Sequence, residues 1–280
     1  MKKNLFGALM LLIGFTTQLS AGDPPEIKET SPLYIKKKKA TRSSEDGGDR
    51  TSKQVVKLNL SQLVLRNISL QYEYGFHKNM SGALGISYLL PIKIPATVFE
   101  PSPNGDGYQL PKFGGWSVTP EFRFYPGKKE EHQAPHGFYL APYFRYSKYT
   151  LSADYYDLQP SGFSRLYKAK ASFGGFTGGL MLGSQWIISE HFSIDWWILG
   201  GGAGKGKLTL EAKSDDPSLN LSAQEQADLK TDINNSMGEL QNFSNGAVSI
   251  ETTTNSAKVT IKGIPMASYR AFGICFGFAF

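Results

Sequence analysis

The clearest pattern in this chain is the alternation of large apolar and small side chains over residues 272–280. Successive side chains of a strand point to opposite faces, so the residues separate into two sets. The large set is Phe272, Ile274, Phe276, Phe278 and Phe280. The small set is Gly273, Cys275, Gly277 and Ala279. A β-rich secreted globule would turn a polar face to water. The large apolar face and the small second face instead predict a closed barrel whose outer face lies in lipid.

The same alternation recurs from residue 54 onward and predicts seven further strands, most clearly at residues 68–76. Connections near residues 78, 130 and 190 are short, whereas those near 100, 160 and 235 are long. Outer-membrane barrels alternate short periplasmic turns with long surface loops. The predicted fold class is therefore all-β, an eight-stranded antiparallel transmembrane β-barrel with long extracellular loops. The reversal near Arg66 is short and departs from this plan.

Three segments are predicted to be surface loops. Residues 91–114 contain five prolines, which remove strand hydrogen bonds, and residues 151–168 are rich in tyrosine. Residues 213–256 form a long polar insertion in which Ser222 and Glu225 have the spacing of a helix capping box. Leu229, Ile233, Met237 and Leu240 follow at helical spacing. This pattern predicts a short amphipathic helix that covers the barrel mouth or presents a surface to a partner.

The N-terminal region reads as an export signal followed by a tail. Residues 1–21 have two lysines, an apolar run and a small-residue cleavage site, which predict a secretory signal peptide. Residues 22–53 lack apolar periodicity and predict a disordered periplasmic segment. Residues 54–280 form the predicted barrel, with the insertion at 213–256. These signals together predict export to the bacterial outer membrane.

Composition and charge bear on the class of protein, on its partners and on disulfide bonding. The mean hydropathy is -0.28, which a barrel reaches because it hides alternate residues from lipid. The net charge is +6, but the basic run at Lys36–Lys39 lies among acidic residues, so we read a solvated tail and no nucleic-acid partner. Cys275 is the only cysteine and excludes an intramolecular disulfide.

Residues 55–90 resemble the opening hairpin of small outer-membrane barrels of the Bacteroidetes type, which are similar to the OmpA and OmpX barrels. The resemblance rests on L-R-N-I-S-L-Q-Y-E at residues 65–73 and on G-A-L-G-I-S-Y at residues 82–88. It implies an eight-stranded barrel and little about activity. Phe276, Phe278 and Phe280 resemble the terminal signature that barrel-assembly machinery reads. The insertion at 213–256 and the N-terminal tail depart from the family pattern.

No motif for phosphate binding, zinc or a nucleophile elbow is present in the sequence. The glycine-rich run at residues 200–207 lacks the final Gly-Lys-Ser/Thr of a phosphate loop and is predicted to be the outer end of the seventh strand. The histidines at 77, 132, 136 and 191 map to predicted periplasmic turns, away from any serine on the same strand face. We therefore predict no catalytic, cofactor or metal residues. A lipid-modifying barrel enzyme is an alternative.

Alternation also places charged residues inside the predicted barrel. The positive set is Lys57, Arg123 and Arg145, and the negative set is Glu73, Glu121 and Asp195. Eight strands leave a lumen that side chains fill, and buried charges persist when they are paired. We predict a non-enzymatic barrel plugged by internal salt bridges, in contact with outer-membrane lipid. Its loops at 91–114, 151–168 and 213–256 would bind an extracellular ligand or protein or serve a structural role. A channel for small solutes or hydrophobic molecules is the other alternative.

Overall fold

The computed structural model describes residues 53–94, 110–126, 134–158, 164–188, 191–216, 220–236 and 248–280. The predicted signal peptide at residues 1–21 and all but Lys53 of the predicted tail at 22–53 lie outside these ranges. Within the described ranges, no helix has the length and apolar character needed to cross a membrane.

Within these ranges, the fold is a single antiparallel sheet of nine strands closed into a ring. The strands are β1 (Gln54–Asn59), β2 (Asn67–His77), β3 (Met80–Lys93), β4 (Lys112–Phe124), β5 (Gly137–Leu158), β6 (Ser164–Ile188), β7 (Phe192–Ser214), β8 (Val248–Thr252) and β9 (Ser256–Ala279). Each of the first seven strands pairs with its neighbour in sequence, β7 pairs with β9, and β9 returns to β1. Two backbone hydrogen bonds between Gln54 and Phe280, of 2.9 and 3.1 Å, extend this closure. The predicted all-β antiparallel class is confirmed.

Strand β8 is an addition to the predicted set. It pairs with β9 beside the stretch that also contacts β7, so it lies next to the circuit formed by the other eight strands. The sequence pattern placed Val248–Thr252 in the polar insertion, because a five-residue strand gives too few alternations to recognise.

The described strands are also longer than the pattern predicted. β3 continues through Pro91 to Lys93, and β4 already begins at Lys112, so both enter the predicted loop at 91–114. β5 and β6 remain paired out to Leu158 and Ser164, within the predicted loop at 151–168. β7 runs through the glycine-rich residues 200–207 to Ser214. The sequence pattern did not predict these extensions. The outward-facing residues there are polar, so the outer face is no longer apolar.

Two short helices lie between strands in the part of the chain that the structure describes. α1 (Leu60–Val64) begins where Asn59 Oδ1 accepts a 2.9 Å hydrogen bond from the Gln62 amide, so β1 ends at Asn59. α2 (Ala223–Ser236) has the predicted capping box: Glu225 Oε2 accepts from the Ser222 amide at 2.9 Å, and Ser222 Oγ accepts from the Glu225 amide at 3.3 Å. Leu229 and Ile233 are buried as expected, whereas Met237 and Leu240 lie outside the described residues.

Alternation gives the ring an apolar outside and two kinds of interior. Large apolar side chains are exposed on every strand of the circuit. Each strand of the circuit provides one example here, and in the order β1 to β7 and then β9 these are Val56, Leu70, Ile86, Phe122, Phe144, Leu180, Trp196 and Phe276. Inside, one half is lined by polar and charged residues, and the other by an apolar core that includes Leu229 and Ile233 of α2.

Candidate functional site: the buried charge network

Six charged side chains meet inside the ring. They are Lys57 on β1, Glu73 on β2, Glu121 and Arg123 on β4, Asp195 on β7, and Arg270 on β9. None of these residues is more than 5% exposed. Each lies on the inward face of its strand, so the period of two brings them together from five strands across the lumen. Buried charges of this kind are tolerated when they are paired and hydrogen-bonded.

Arg123 lies at the centre of the network. Its Nη1 donates to Asp195 Oδ2 at 2.8 Å and to Glu73 Oε2 at 3.2 Å. Its Nη2 donates to Glu121 Oε2 at 2.9 Å and to Gln71 Oε1 at 2.8 Å. The guanidinium also lies 4.3 Å from the ring centroid of Tyr139. Only a planar, multi-donor cation can serve so many acceptors at once, which identifies Arg123 as the hub.

Lys57 forms a second positive centre beside the first. Its Nζ donates to Glu73 Oε2, to Asp195 Oδ2 at 2.7 Å and to Gln185 Oε1 at 2.8 Å. Both carboxylates are therefore shared between Lys57 and Arg123. Removal of either cation would leave Glu73 and Asp195 with fewer positively charged partners.

Arg270 supplies the third positive charge, and sequence reasoning missed it. Its Nη1 donates to Glu121 Oε1, and its guanidinium lies 3.9 Å from the Trp197 ring centroid. Counting back by two from Phe272 places Arg270 outside the ring. In the structure, Ala271 and Phe272 are both exposed and Phe272 has a φ of 52°, so the alternation changes phase there. The signal that could have identified Arg270 is that it is the only charged residue in the apolar and glycine-containing stretch 266–280.

Neutral hydroxyl groups complete the carboxylate shells. Tyr125 donates to Glu73 Oε1 at 2.6 Å, and Ser81 donates to the same oxygen. Tyr139 donates to Asp195 Oδ1 at 2.7 Å. These contacts satisfy carboxylate oxygens that the cations do not reach, which makes the network rigid and specific.

Of the six predicted lumen residues, the structure brings five together and leaves Arg145 apart. Arg145 Nε donates to Thr119 Oγ1 at 3.0 Å, and within the described ranges no carboxylate lies at ion-pair distance from it. It points inward from β5 but lies farther along the lumen than the network, because strand stagger sets the height of each inward residue. Arg270, and not Arg145, provides the third positive charge of the network.

The network has three cations and three anions, so its formal charge sums to zero. An electroneutral cluster creates no field of one sign that would attract a particular ion. Its side chains instead occupy the lumen. The arrangement is suited to holding strands together and closing the interior.

The histidines that the structure describes contact residues outside this network. His77 is the last residue of β2, His136 Nδ1 accepts from the Ile187 amide at 3.1 Å, and the His191 ring contacts Phe278 at 5.7 Å between centroids. His132 lies outside the described residues. In the described part of the chain, no group of three His, Cys, Asp or Glu side chains is arranged to hold a metal ion.

The aromatic residues of the predicted assembly signal lie on the outer face of β9 and just beyond it. Phe276, Phe278 and Phe280 are about half exposed, and the rings of Phe278 and Phe280 stack at 6.4 Å. Cys275 points into the interior and is 1% exposed. The alternation predicted for residues 272–280 is therefore present at residues 273–280.

Residues 40–207, more than half of the chain, match a family described as "Protein of unknown function (DUF3575)". The chain belongs to this DUF3575 family. No curated protein matched the chain, and no solved structure matched it. The family assignment shows no link to the Bacteroidetes-type barrels that the sequence resembles. The matched DUF3575 range contains five of the six network charges, whereas Arg270 lies beyond it.

Proposed function

We propose that this DUF3575 protein is a non-enzymatic outer-membrane β-barrel whose lumen is plugged by the charge network. In this proposal β1 to β7 and β9 form an eight-stranded transmembrane barrel. β8 and α2 belong to a surface extension that caps the barrel or binds an extracellular ligand or protein.

The apolar outer face is the observation that carries the proposal. Every strand of the circuit exposes large apolar side chains, with Leu180 at 56% and Ile86 at 55%. A soluble protein rarely exposes a continuous apolar surface of this extent, whereas a barrel in lipid requires one. Seven of the eight strands have 11 residues or more, which is about the length needed to cross a bilayer as a tilted strand.

Neighbouring tryptophans on β7 provide a sharp test of membrane insertion. Trp196 points outward and is 38% exposed, whereas Trp197 points inward and is 4% exposed. Two variants would each keep one of these residues and carry phenylalanine at the other three tryptophan positions. In vesicles containing brominated lipids, we expect strong fluorescence quenching of Trp196 and weak quenching of Trp197. Equal quenching of both, or quenching of neither, would overturn the proposed barrel orientation in lipid.

Bilayer recordings separate the plugged barrel from the channel alternative. We expect no steady conductance from the inserted wild-type protein, because paired side chains occupy the lumen. Steady ion-selective conductance would instead support a transport function.

Lipid mass spectrometry with and without the protein tests the enzyme alternative, and we expect identical lipid profiles.

The exposed aromatic face of β9 is proposed to contact the barrel-assembly machinery. Phe278→Ser removes an outward ring that packs on Phe192 and Phe280, so we expect slower insertion in cells. Cys275→Ala changes an inward residue on the same strand and serves as the control. Normal heat-modifiable gel mobility and normal yield for Phe278→Ser would argue against this contact.

A further inference from the structure

Four exposed lysines form a basic patch on the outside of the ring. They are Lys148 on β5, Lys205 and Lys207 on β7, and Lys262 on β9. Lys207 pairs directly with Lys262, and Gly174 on β6 pairs with Lys148 on one side and Lys207 on the other. Because neighbouring strands are about 4.8 Å apart, Lys148 lies about 10 Å from Lys207 across the glycine.

These lysines have no acidic partner among the residues that the structure describes. Within the described ranges, none of the four forms an ion pair, whereas Lys168 and Lys213 pair with Asp215, and Lys258 pairs with Glu251. Like charges directly opposite each other on adjacent strands repel, as Lys207 and Lys262 do. An anion between the two side chains would relieve that repulsion.

The glycine between the lysines leaves a recess with a hydroxyl group at its edge. A Cβ atom placed on Gly174 would lie 3.6 Å from Lys148 Cγ and 3.6 Å from the Tyr146 hydroxyl. The Tyr146 ring packs against Phe176 at 4.7 Å and Trp116 at 5.3 Å. Tyrosine in such a position has its ring on the apolar side and its hydroxyl on the polar side of a boundary. The patch therefore lies where the apolar face ends.

We propose that this lysine patch binds the phosphate group of an anionic lipid. The inference rests on the proposed membrane location, because the acyl chains of the lipid would lie on the apolar face that continues below the patch through Phe144, Phe176 and Leu180. A phosphate offers several acceptor oxygens at one centre, and lysine ammonium groups donate to it as mobile point charges. The Tyr146 hydroxyl supplies one further donor.

The test compares two triple variants with the same change in net charge. The patch variant is Lys148→Gln with Lys207→Gln and Lys262→Gln. The control variant is Lys168→Gln with Lys213→Gln and Lys258→Gln, which changes lysines that already have acidic partners. The folded full-length protein in a neutral detergent is titrated with phosphatidic acid, and bound lipid is counted by native mass spectrometry. We expect the patch variant to bind about tenfold or more weakly and the control variant to bind like wild type.

Three results would overturn the proposal. Equal weakening by both triple variants would show general charge attraction. Full displacement of the lipid by millimolar inorganic phosphate would show a site for soluble phosphate. Equal binding of phosphatidic acid and oleate would show a site for any anionic amphiphile. Lys207→Gln alone gives a second measurement if the triple patch variant does not fold, and we expect it to weaken binding more than Lys168→Gln.

The assay in detergent keeps this inference separate from the proposed function. Binding at the patch without tryptophan quenching in vesicles would support the phosphate site and overturn the membrane barrel. Quenching of Trp196 without selective loss of binding in the patch variant would overturn the phosphate site alone.

Discussion

The two halves of the ring interior are both buried, yet they are filled in different ways. In the charged half, long polar side chains such as Arg123 and Lys57 reach across from the strands and meet their partners directly. In the apolar half, many inward residues are small, and a separate element fills the space. The small inward residues are Ala169, Ala171, Ala212 and Ala257, and α2 adds Leu229 and Ile233. The strands of the ring thus fill the interior by themselves where their inward side chains are long, and α2 completes the filling where alanines line the interior.

The difference also affects how much stability each half loses when a side chain is replaced. The ion pairs of the charged half stabilise the fold only while both partners are present, because a lone buried charge is costly. The apolar half loses stability roughly in proportion to the contacts and volume removed. The largest effect is expected at Arg123, at the centre of the network, and the smallest at Glu225, near the exposed start of α2.

Arg123→Ala should have the largest effect. It leaves Glu73, Glu121 and Asp195 with fewer positive partners, and loss of one member of a buried pair costs about 3–5 kcal/mol. We expect a lower unfolding midpoint in detergent, measured by heat-modifiable gel mobility or by fluorescence. Arg145→Ala is the matched control and should cost less, because Arg145 is only half-buried and contacts Thr119.

A double variant distinguishes a paired network from a water-filled pore. Arg123→Ala combined with Asp195→Asn should recover part of the lost stability, because Lys57 then pairs with Glu73 and Arg270 still pairs with Glu121. In a pore, solvent would screen the remaining charges. An undisturbed midpoint for Arg123→Ala, together with altered ion selectivity, would contradict the plugged interior.

Leu229→Ala should destabilise the apolar half without unfolding the charged half. Leu229 is 0% exposed, and Leu→Ala at such a site costs about 2–5 kcal/mol. We expect faster proteolysis within residues 223–236 and an unchanged heat-modifiable shift. Lys230→Ala changes an exposed neighbour on the same helix and should leave the proteolysis rate as it is in the wild type. Simultaneous loss of both halves in Leu229→Ala would show that they form one cooperative unit.

Tyr139→Phe should have an intermediate effect. It removes the 2.7 Å hydrogen bond to Asp195 and keeps the ring against Arg123, so a cost of about 1.5–3 kcal/mol is expected for a bond to a charged group. Thermal unfolding in detergent measures it. Tyr74→Phe, an outward tyrosine on β2, is the control. Equal midpoints for the two variants would mean that the Asp195 contact adds no stability.

The smallest effect concerns pH at the exposed end of α2. Hydrogen bonds from the Ser222 amide and hydroxyl lower the pKa of Glu225 below its usual value of 4.5. The stabilisation is therefore present above the unfolded-state pKa and is lost as pH falls through the folded-state pKa. Hydrogen exchange of residues 223–236, corrected for intrinsic rates, should accelerate in this acidic range. Glu225→Gln should remove that pH dependence, and a persistent dependence would assign it to another group.

Alternation along the sequence predicted five of the six network residues. Arg270 and Arg145 are exceptions, and each has its own structural cause. Lys57, Glu73, Glu121, Arg123 and Asp195 all lie in regular stretches of strand, where the period of two fixes the inward face. Arg270 lies beyond an irregularity at Phe272, where the period shifts and simple counting fails. Arg145 contacts Thr119 and no network carboxylate within the described ranges, because its height depends on the stagger between strands, which alternation does not encode.

The sequence by itself determined which faces are apolar, the all-β class and the capping box of α2, because these depend on neighbours within a few residues. The tertiary structure decided which strands close the ring, how far the strands extend, and which charges meet. It also decided that α2 fills the interior between small alanines. These outcomes depend on contacts between residues far apart in sequence, such as Arg270 and Glu121, and their geometry is set by strand register and stagger.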